Sequence, residues 1–443
     1  SALDDTAQRK GNSVYLPDRV EPMLPHALSS DMCSLRPQED RACMAVKMNF
    51  ANDGSLSGFK FHRGLMRSRA RLTYAQAQEV FEGREHEAAN DVIPELHALY
   101  AAYKALRAAR ERRGPLEMEM PERRVRIGDD GEVTAIEVRE RFDAHKLVEE
   151  FMIQANVAAA RALTKENAEL VFRIHDEPSR EKLQSLSDFL PAIKMKWAAG
   201  EKATPARFNK LLKAAEERDL SEIVGMAVLR SQSKAIYSPK NGGHFGLNLT
   251  HYAHFTSPIR RYADLIVHRA LIRAFNLGDD GLTDKEIAQL QETAEHISST
   301  ERQAMAAERD ATDRYIAAHL SDRLGAKFGA RITGVTGIGL FVTLDETGAD
   351  GLVPVRNLGN EYFRFDDRIR ALIGERTGGT YNFGARVIVE LVEATPISGG
   401  MIFDMVSDPA PGKPGGRGKR SHKRRDGGRQ SPAGQSWPKK KKK

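Results

Sequence analysis

The chain has little of several things. Its 443 residues include two cysteines, Cys33 and Cys43, and no CxxC pair. A disulfide framework or a cysteine-built zinc site is thereby excluded, a reducing cytosol fits, and both thiols are expected to be buried. No run approaches the ~20 apolar residues of a membrane span, and SALDDTAQRK lacks the apolar core of a signal peptide, so a cytoplasmic protein without a membrane partner is expected. No internal repeat is present, which excludes solenoids and propellers. Net positive charge is absent outside the C-terminus: residues 411–443 hold 13 Lys/Arg against Asp426 alone, a net +12, so residues 1–410 carry −5 of the total +7. A basic groove in the body must therefore come from local clustering. The chain does not open on methionine, and LDDTAQRKGNSVYLPDRV reads as the middle of a domain, so a fragment or processed piece is expected.

What is present divides by texture. ACMAVKMNF and GFKFHRGLM flank Asn52-Asp53-Gly54 and read as a hairpin. Residues 74–110 turn helical, with Pro94 in a first turn and Gly114-Pro115 as a stop. Arg124 to Arg139 alternates around Asp129-Asp130-Gly131 as a second strand pair. From Asp143 the chain is mainly helical, with Leu147, Phe151 and Val157 on one face and further helices in SREKLQSLSDFL and ATPARFNKLLKAAEER. A very long helical pattern begins at TDKEIAQL. From Lys327 to Val406 the runs become short, β-branched and punctuated by glycine, the spacing of a small five-stranded barrel. After Pro409 a Gly/Pro/Lys/Arg segment has nothing to bury and is expected to be disordered.

The densest stretch is HYAHFTSPIRRYADLIVHRA, residues 251–270. Thr256-Ser257-Pro258 reads as a helix start with a hydroxyl cap and proline in the first helical position. Arg260 and Arg261 then fall in the first turn, where the macrodipole is positive and a cation costs a few tenths of a kcal/mol. Two readings follow. In one, Arg260 pairs with Asp264 four residues on, and the helix is simply exposed. In the other, helix N–H groups and two guanidinium forks grip an anion such as phosphate. In the barrel, GVTGIGLFVTL puts Phe341 between glycines; facing outward, it is a stacking platform for bases, with Phe328 and Arg386 as neighbours, and facing inward it is core.

Strings in order then bear on the whole chain: GNSVYLPDRVEPMLPHALS, CSLRPQEDRACMAVKM, ARLTYAQAQ, EEFMIQAN, FRIHDEPSREKL, YSPKNGGHFGLNL and HYAHFTSPIRRYADLIVHRAL. Together they resemble the RNB catalytic domain of the ribonuclease II and ribonuclease R family, and GARITGVTGIGLFVTLDETGADGLVPVRNL resembles an S1-type RNA-binding domain. The resemblance implies an α+β chain: the C-terminal part of an RNB domain, a mixed sheet with helices, over 1–323, an S1-type OB-fold barrel over 324–407, and the basic tail over 408–443. It implies processive 3′→5′ hydrolysis of single-stranded RNA to nucleoside 5′-monophosphates with two Mg²⁺ ions. Residue by residue, Arg260 matches the arginine at the scissile phosphate, with Arg261 beside it. Glu308 matches a glutamate that holds the 3′-terminal nucleotide or its arginine. Tyr15 and Tyr74 match tyrosines of the 3′-end pocket, and Met118 stands where the family has a stacking phenylalanine.

One family feature has no counterpart. The metal-binding aspartates form a short acidic motif some forty residues ahead of the GNSVY element, and this chain begins about ten residues ahead of it. Asp4 and Asp5 belong to a different segment, Asp279-Asp280 to a loop and Asp366-Asp367 to the barrel. No metal ligands are therefore expected here, and the chain alone is expected to bind RNA without cleaving it. Alternatives are a non-catalytic RNA-binding or scaffold chain, one half of a split exoribonuclease, or a factor docking on ribosomal RNA through its barrel and tail. That tail would bind phosphates with a steep salt dependence, or simply solubilise the chain.

Overall fold

The computed structural model describes residues 1–118, 123–197, 202–218, 220–367 and 369–411; most of the basic tail thus lies outside the described residues. The chain opens with α1 (Ala2–Lys10), capped by Ser1 and ended by Gly11 at φ 73°, then a short pair, β1 (Val14–Tyr15) and β2 (Val20–Glu21). The expected hairpin is β3 (Asp40–Phe50) with β4 (Leu56–Arg67). Its alternation lays Phe59, Phe61, Met44 and Val46 on the core while Lys47 and Lys60 face water.

Helix α2 (Tyr74–Phe81) starts on a Thr73/Gln76 capping box. Helix α3 (Ile93–Arg113) carries Pro94 in its first turn and ends at Gly114, left-handed at φ 62°. The second hairpin is β5 (Arg123–Ile127) with β6 (Val133–Val138). Helix α4 (Asp143–Lys165) runs through the centre. Its alanine-rich middle, Ala155 to Ala160, is buried, and small side chains there let neighbouring elements approach closely. Strand β7 (Phe172–Ile174) leads to α5 (Arg180–Phe189), α6 (Pro205–Glu216) and α7 (Ser221–Ser231). The last of these has no separate signal in the sequence reading. Strand β8 (Ile236–Ser238) returns to pair with β7.

Helix α8 (Tyr262–Ala274) corrects an expectation. Residues 257–260 form a turn, closed by the N–H groups of Arg260 and Arg261 donating to Ser257 O at 3.2 and 3.1 Å, so both arginines precede the helix. Proline's fixed φ suits the second position of a turn as well as a first helical position, and here the turn prevails. Helix α9 (Asp284–Ala288) is a short prelude to α10 (Leu290–Ser321).

Strands β9 (Lys327–Thr336), β10 (Gly339–Leu344) and β11 (Asp350–Pro354) begin the barrel. A small sheet of β12 (Phe363–Asp366), β13 (Ala371–Gly374) and β14 (Thr380–Asn382), which the spacing did not suggest, is inserted next. Strands β15 (Arg386–Thr395) and β16 (Gly400–Met405) close the barrel in the order β10-β11-β16-β15-β9. The fold is mixed α+β with a closed five-stranded barrel.

Three larger cores hold the described residues together. One joins α4, α8 and the first hairpin. A second fills the barrel and includes Ile316, Ala317 and Leu320 from the end of α10. A third unites α5, α6 and α7 with Phe383 of the barrel segment. Cys33 and Cys43 are free and only half-buried, correcting the expectation of buried thiols. Among the described residues no helix is long and apolar enough to cross a membrane.

Candidate functional site

Four segments meet where α8 begins. Gly11 turns the chain out of α1; a Cβ there would lie 2.0 Å from Thr300 Oγ1, so this approach to α10 requires glycine. The segment after it runs against the Ser257–Arg261 turn: Ser13 N–H donates to Arg260 O at 3.0 Å, and Tyr262 N–H donates to Gly11 O at 2.9 Å. The first N–H of α8 is therefore already used. Tyr15 N–H donates to Glu308 Oε1 at 2.7 Å, tying β1 to α10.

Asp264 is 0 % exposed and accepts three hydrogen bonds: from Ser257 N–H at 2.7 Å, and from Arg261 Nε and Nη2 at 2.7 and 2.8 Å. A carboxylate buried so completely needs a cation and a full set of donors, and Arg261 supplies the cation. Arg261 is thus committed to structure. Arg260 points the other way: it is exposed, and its guanidinium makes a 3.4 Å contact with Ser257 Oγ. The Arg260–Asp264 pairing that the spacing offered does not form.

The result is a cleft with about 200 Å³ of free space, walled by Asn12, Tyr15, Tyr237, Arg260, Arg261, Glu301, Met305 and Glu308. Tyr15 and Arg260 are on its open side. Beneath them Arg173 Nη1 binds Glu301 Oε2 at 2.6 Å and lies 4.7 Å over the Tyr237 ring. Tyr237 shares a 2.9 Å hydrogen bond with His254 Nδ1 and accommodates its own N–H on Ser298 Oγ at 2.9 Å. Burial, and then the charges of Arg261 and Arg173, push the His254 pKa well below its ordinary value, so this imidazole is neutral. Burial likewise raises the Tyr237 pKa, and the phenol stays protonated. The cleft therefore offers one exposed guanidinium, one exposed aromatic ring and two acids, each already bonded to a neighbour.

The sequence reading missed Glu301, Tyr237 and Arg173. A signal existed for the first: Ile297, Glu301, Ala304 and Glu308 recur at helical spacing on one face of α10, and all four wall the cleft.

The remaining candidates lie elsewhere. Tyr74, at the start of α2, stacks on His145 with ring centroids 3.9 Å apart and does not wall the cleft. Met118 is half-buried against the α5–α7 core and borders a second cavity, of ≈ 590 Å³, with Arg107, Arg110, Arg141, Glu149 and Glu150. On the barrel Phe341 faces outward, 41 % exposed, and Arg386 is exposed opposite Arg331. Phe328 is 3 % exposed inside the barrel, which corrects its placement on the outer face. It shares strand parity with Ala330 and Ile332, both core residues, and parity decides the side.

Among the described residues no three His, Cys, Asp or Glu side chains converge as a metal site. Asp4 accepts from Tyr262 Oη–H at 3.0 Å, and Asp280 is bound by Arg63 at 2.6 Å. These acids do not fit a pair of divalent cations.

The sequence profile of a family described as the RNB domain matches residues 1–276. The ribonuclease R of Escherichia coli (strain K12) is 40 % identical over 439 residues, covering 96 % of this chain and 54 % of that protein. The ribonuclease R of Aquifex aeolicus is 37 % identical over 406 residues, covering 91 % and 57 %. The chain thus spans about half the length of the curated relatives it matches. Among solved structures, RNase R of Mycoplasma genitalium in its apo form superposes with a TM-score of 0.86 at 30 % identity, covering 92 % of this chain and 64 % of that one. The same protein in complex with ribose-methylated single-stranded RNA matches equally well.

Proposed function

The chain belongs to the RNB-domain family, and from that premise we propose that it is the RNA-gripping part of a ribonuclease R-type 3′→5′ exoribonuclease. Residues 1–323 are the RNB portion, 324–407 an S1-type barrel, and 408–443 a basic tail that adds salt-sensitive affinity for RNA, ribosomal RNA included. The ligand is the 3′ end of single-stranded RNA in a cytoplasmic turnover pathway. The observation that carries the reading is the meeting of exposed Arg260 with Tyr15 and Glu308 in one cleft.

Each residue then has a task. Arg260 donates its guanidinium fork to the terminal phosphodiester, where two parallel hydrogen bonds both bind and orient it. Tyr15 offers its ring to the last base. Glu308 fixes the backbone of Tyr15 with one oxygen and leaves the other for a ribose hydroxyl. Arg261 and Asp264 hold the turn so that Arg260 faces the cleft. Tyr74 and Met118 guide nucleotides further from the end, and Phe341 with Arg386 binds the strand on the barrel. A divalent cation, where a ribonuclease R-type enzyme holds one, would supply activation of the attacking water; the acids described here, Asp4 and Asp280 among them, do not fit it. On this reading the chain binds RNA and does not hydrolyse it.

The test is direct. The purified chain is mixed with poly(A) and Mg²⁺, and both retention of RNA and release of nucleotide are measured. Binding without release is the expected outcome; EDTA-sensitive turnover would contradict the inactivity, and absence of binding would sink the whole reading.

A further inference from the structure

Between β8 and the Ser257–Arg261 turn, residues 243–249 form a tight strap held by two imidazoles. Gly246 N–H donates to His175 Nδ1 at 3.0 Å, and Leu247 N–H donates to His244 Nδ1 at 3.1 Å. On its other side His175 meets Ser233 O at 2.9 Å through Nε2. A carbonyl oxygen only accepts, so Nε2 carries the proton and Nδ1 is bare; the strap selects one neutral tautomer. Gly246 presses on the ring so closely that a Cβ there would lie 3.0 Å from His175 Nδ1. The two imidazoles stand edge to face with centroids 5.1 Å apart.

The strap in turn holds the end of α3. Leu116 N–H donates to Gly246 O at 2.8 Å, Arg113 Nε–H to Leu247 O at 3.1 Å, and Asn248 Nδ2–H to Arg113 O. Leu116, Glu117, Met118 and Leu247 all wall the ≈ 590 Å³ cavity, so the strap and that wall are tied together. The charges around His175 are Arg173 on β7, Asp176 just after it and Lys182 on α5. Beyond the strap, Arg113 is bound to buried Glu150 at 3.6 Å. His244 faces Arg173, His175 and the Tyr252 ring; burial first, then His175, pull its pKa down to about 3. Burial also lowers the pKa of His175, but Ser233 O and Asp176 favour its charged form. As the pH falls, His175 is therefore the first of the two to take a proton.

A protonated His175 cannot keep this geometry. Its Nδ1–H would point at Gly246 N–H, donor against donor, and a strap amide would lose its acceptor. We propose that the strap is an acid-released catch: a proton taken from solvent by His175 Nδ1 frees residues 243–249, and with them the end of α3 and one wall of the cavity, while the larger cores stay folded. This inference stands on the strap's own hydrogen bonds and does not depend on the RNA-binding reading.

The test is amide hydrogen exchange on the whole chain from pH 7.5 to 5.0, with rates corrected for the intrinsic effect of pH. In the wild-type chain, protection of peptides covering 114–118 and 243–249 is expected to fall about tenfold, as for one imidazole with a pKa of ~6.5 once released. Peptides from β10 should keep their protection. His175→Asn places an amide oxygen where Nδ1 stood, and that oxygen accepts without titrating, so protection of the strap should stay level across the range. His244→Asn should retain the wild-type response, because His244, with a pKa of about 3, does not titrate there. If His175→Asn does not fold, ring-nitrogen NMR of the wild-type chain reads the same event: the His175 ring must titrate with the midpoint at which strap protection is lost. Level strap protection in the wild type overturns the proposal, as does β10 losing protection in step with the strap. A wild-type response in His175→Asn, its loss in His244→Asn, or a His175 midpoint that differs from that of exchange does the same.

Discussion

Asp264 accepts hydrogen bonds from Ser257 N–H and from two nitrogens of Arg261 while wholly buried. Removing one partner of such a pair leaves the other charge without compensation in a low-dielectric site. Asp264→Ala is therefore expected to cost about 3–5 kcal/mol in denaturant unfolding. Arg260, exposed and unburdened by that pair, should behave differently: Arg260→Ala is expected to change stability by less than about 0.5 kcal/mol. If the proposed function holds, the same substitution in a cleaving ribonuclease R-type enzyme should nearly abolish turnover while RNA affinity stays within a few-fold. A mutant that turned over RNA at the wild-type rate would remove Arg260 from the phosphate. The sequence writes these two arginines as neighbours of equal standing. Their division of labour depends on the Ser257–Arg261 turn and on strands brought in from residues 11–15, which no local pattern encodes.

At the scale of elements, β10 is placed by Gly339. Its φ is 150°, and a Cβ there would sit 2.2 Å from Val353 O on the neighbouring strand. Gly339→Ala must move β10 away from β11 or distort its own backbone. A loss of roughly 1–3 kcal/mol is expected, read as a lower melting temperature. Because Phe341 lies two residues on, RNA affinity at the barrel should fall with it. Hairpins and long helices were legible in the chain because their signals are local: alternation around Asn52-Asp53-Gly54, and Pro94 and Gly114 bracketing α3. The inserted sheet β12–β14 was less legible, since its strands of three or four residues are too short for a period to register. The start of α8 was misplaced because proline serves a turn and a helix start equally well.

The whole molecule carries a half-buried histidine array, joined to the cleft by the Tyr237–His254 hydrogen bond. His175 and His244 meet at 5.1 Å, His244 and Tyr252 at 5.3 Å, and Tyr252 and His254 at 5.7 Å. Burial, and then the neighbouring His175, pull the His244 pKa down to about 3, and burial lowers His175 and pushes His254 well below its usual value. For each ring the folded pKa lies below the unfolded value of ~6.5. Their neutral burial thus contributes stability in full above pH ~6.5, and that stability drains away as the pH falls from there towards about 3. Unfolding measured from pH 7.5 to 4.5 should show a steady loss of stability, and His244→Gln should flatten the lower part of the curve. A pH-independent midpoint would mean that the array is not buried in solution.

Sequence by itself determined the inventory: the hairpins, the long helices, the five barrel strands and the ordered motif strings. Each is specified by neighbours within about two turns or one strand of chain, where period, turn residues and caps act directly. Tertiary structure alone decided which arginine is free and that Phe328 packs inside while Phe341 faces out. It also brought Tyr15 and Glu301 to one cleft, and set Gly246 against His175. Those facts join residues far apart in the chain, and their energies come from burial and charge pairing that exist only once the distant segments have met.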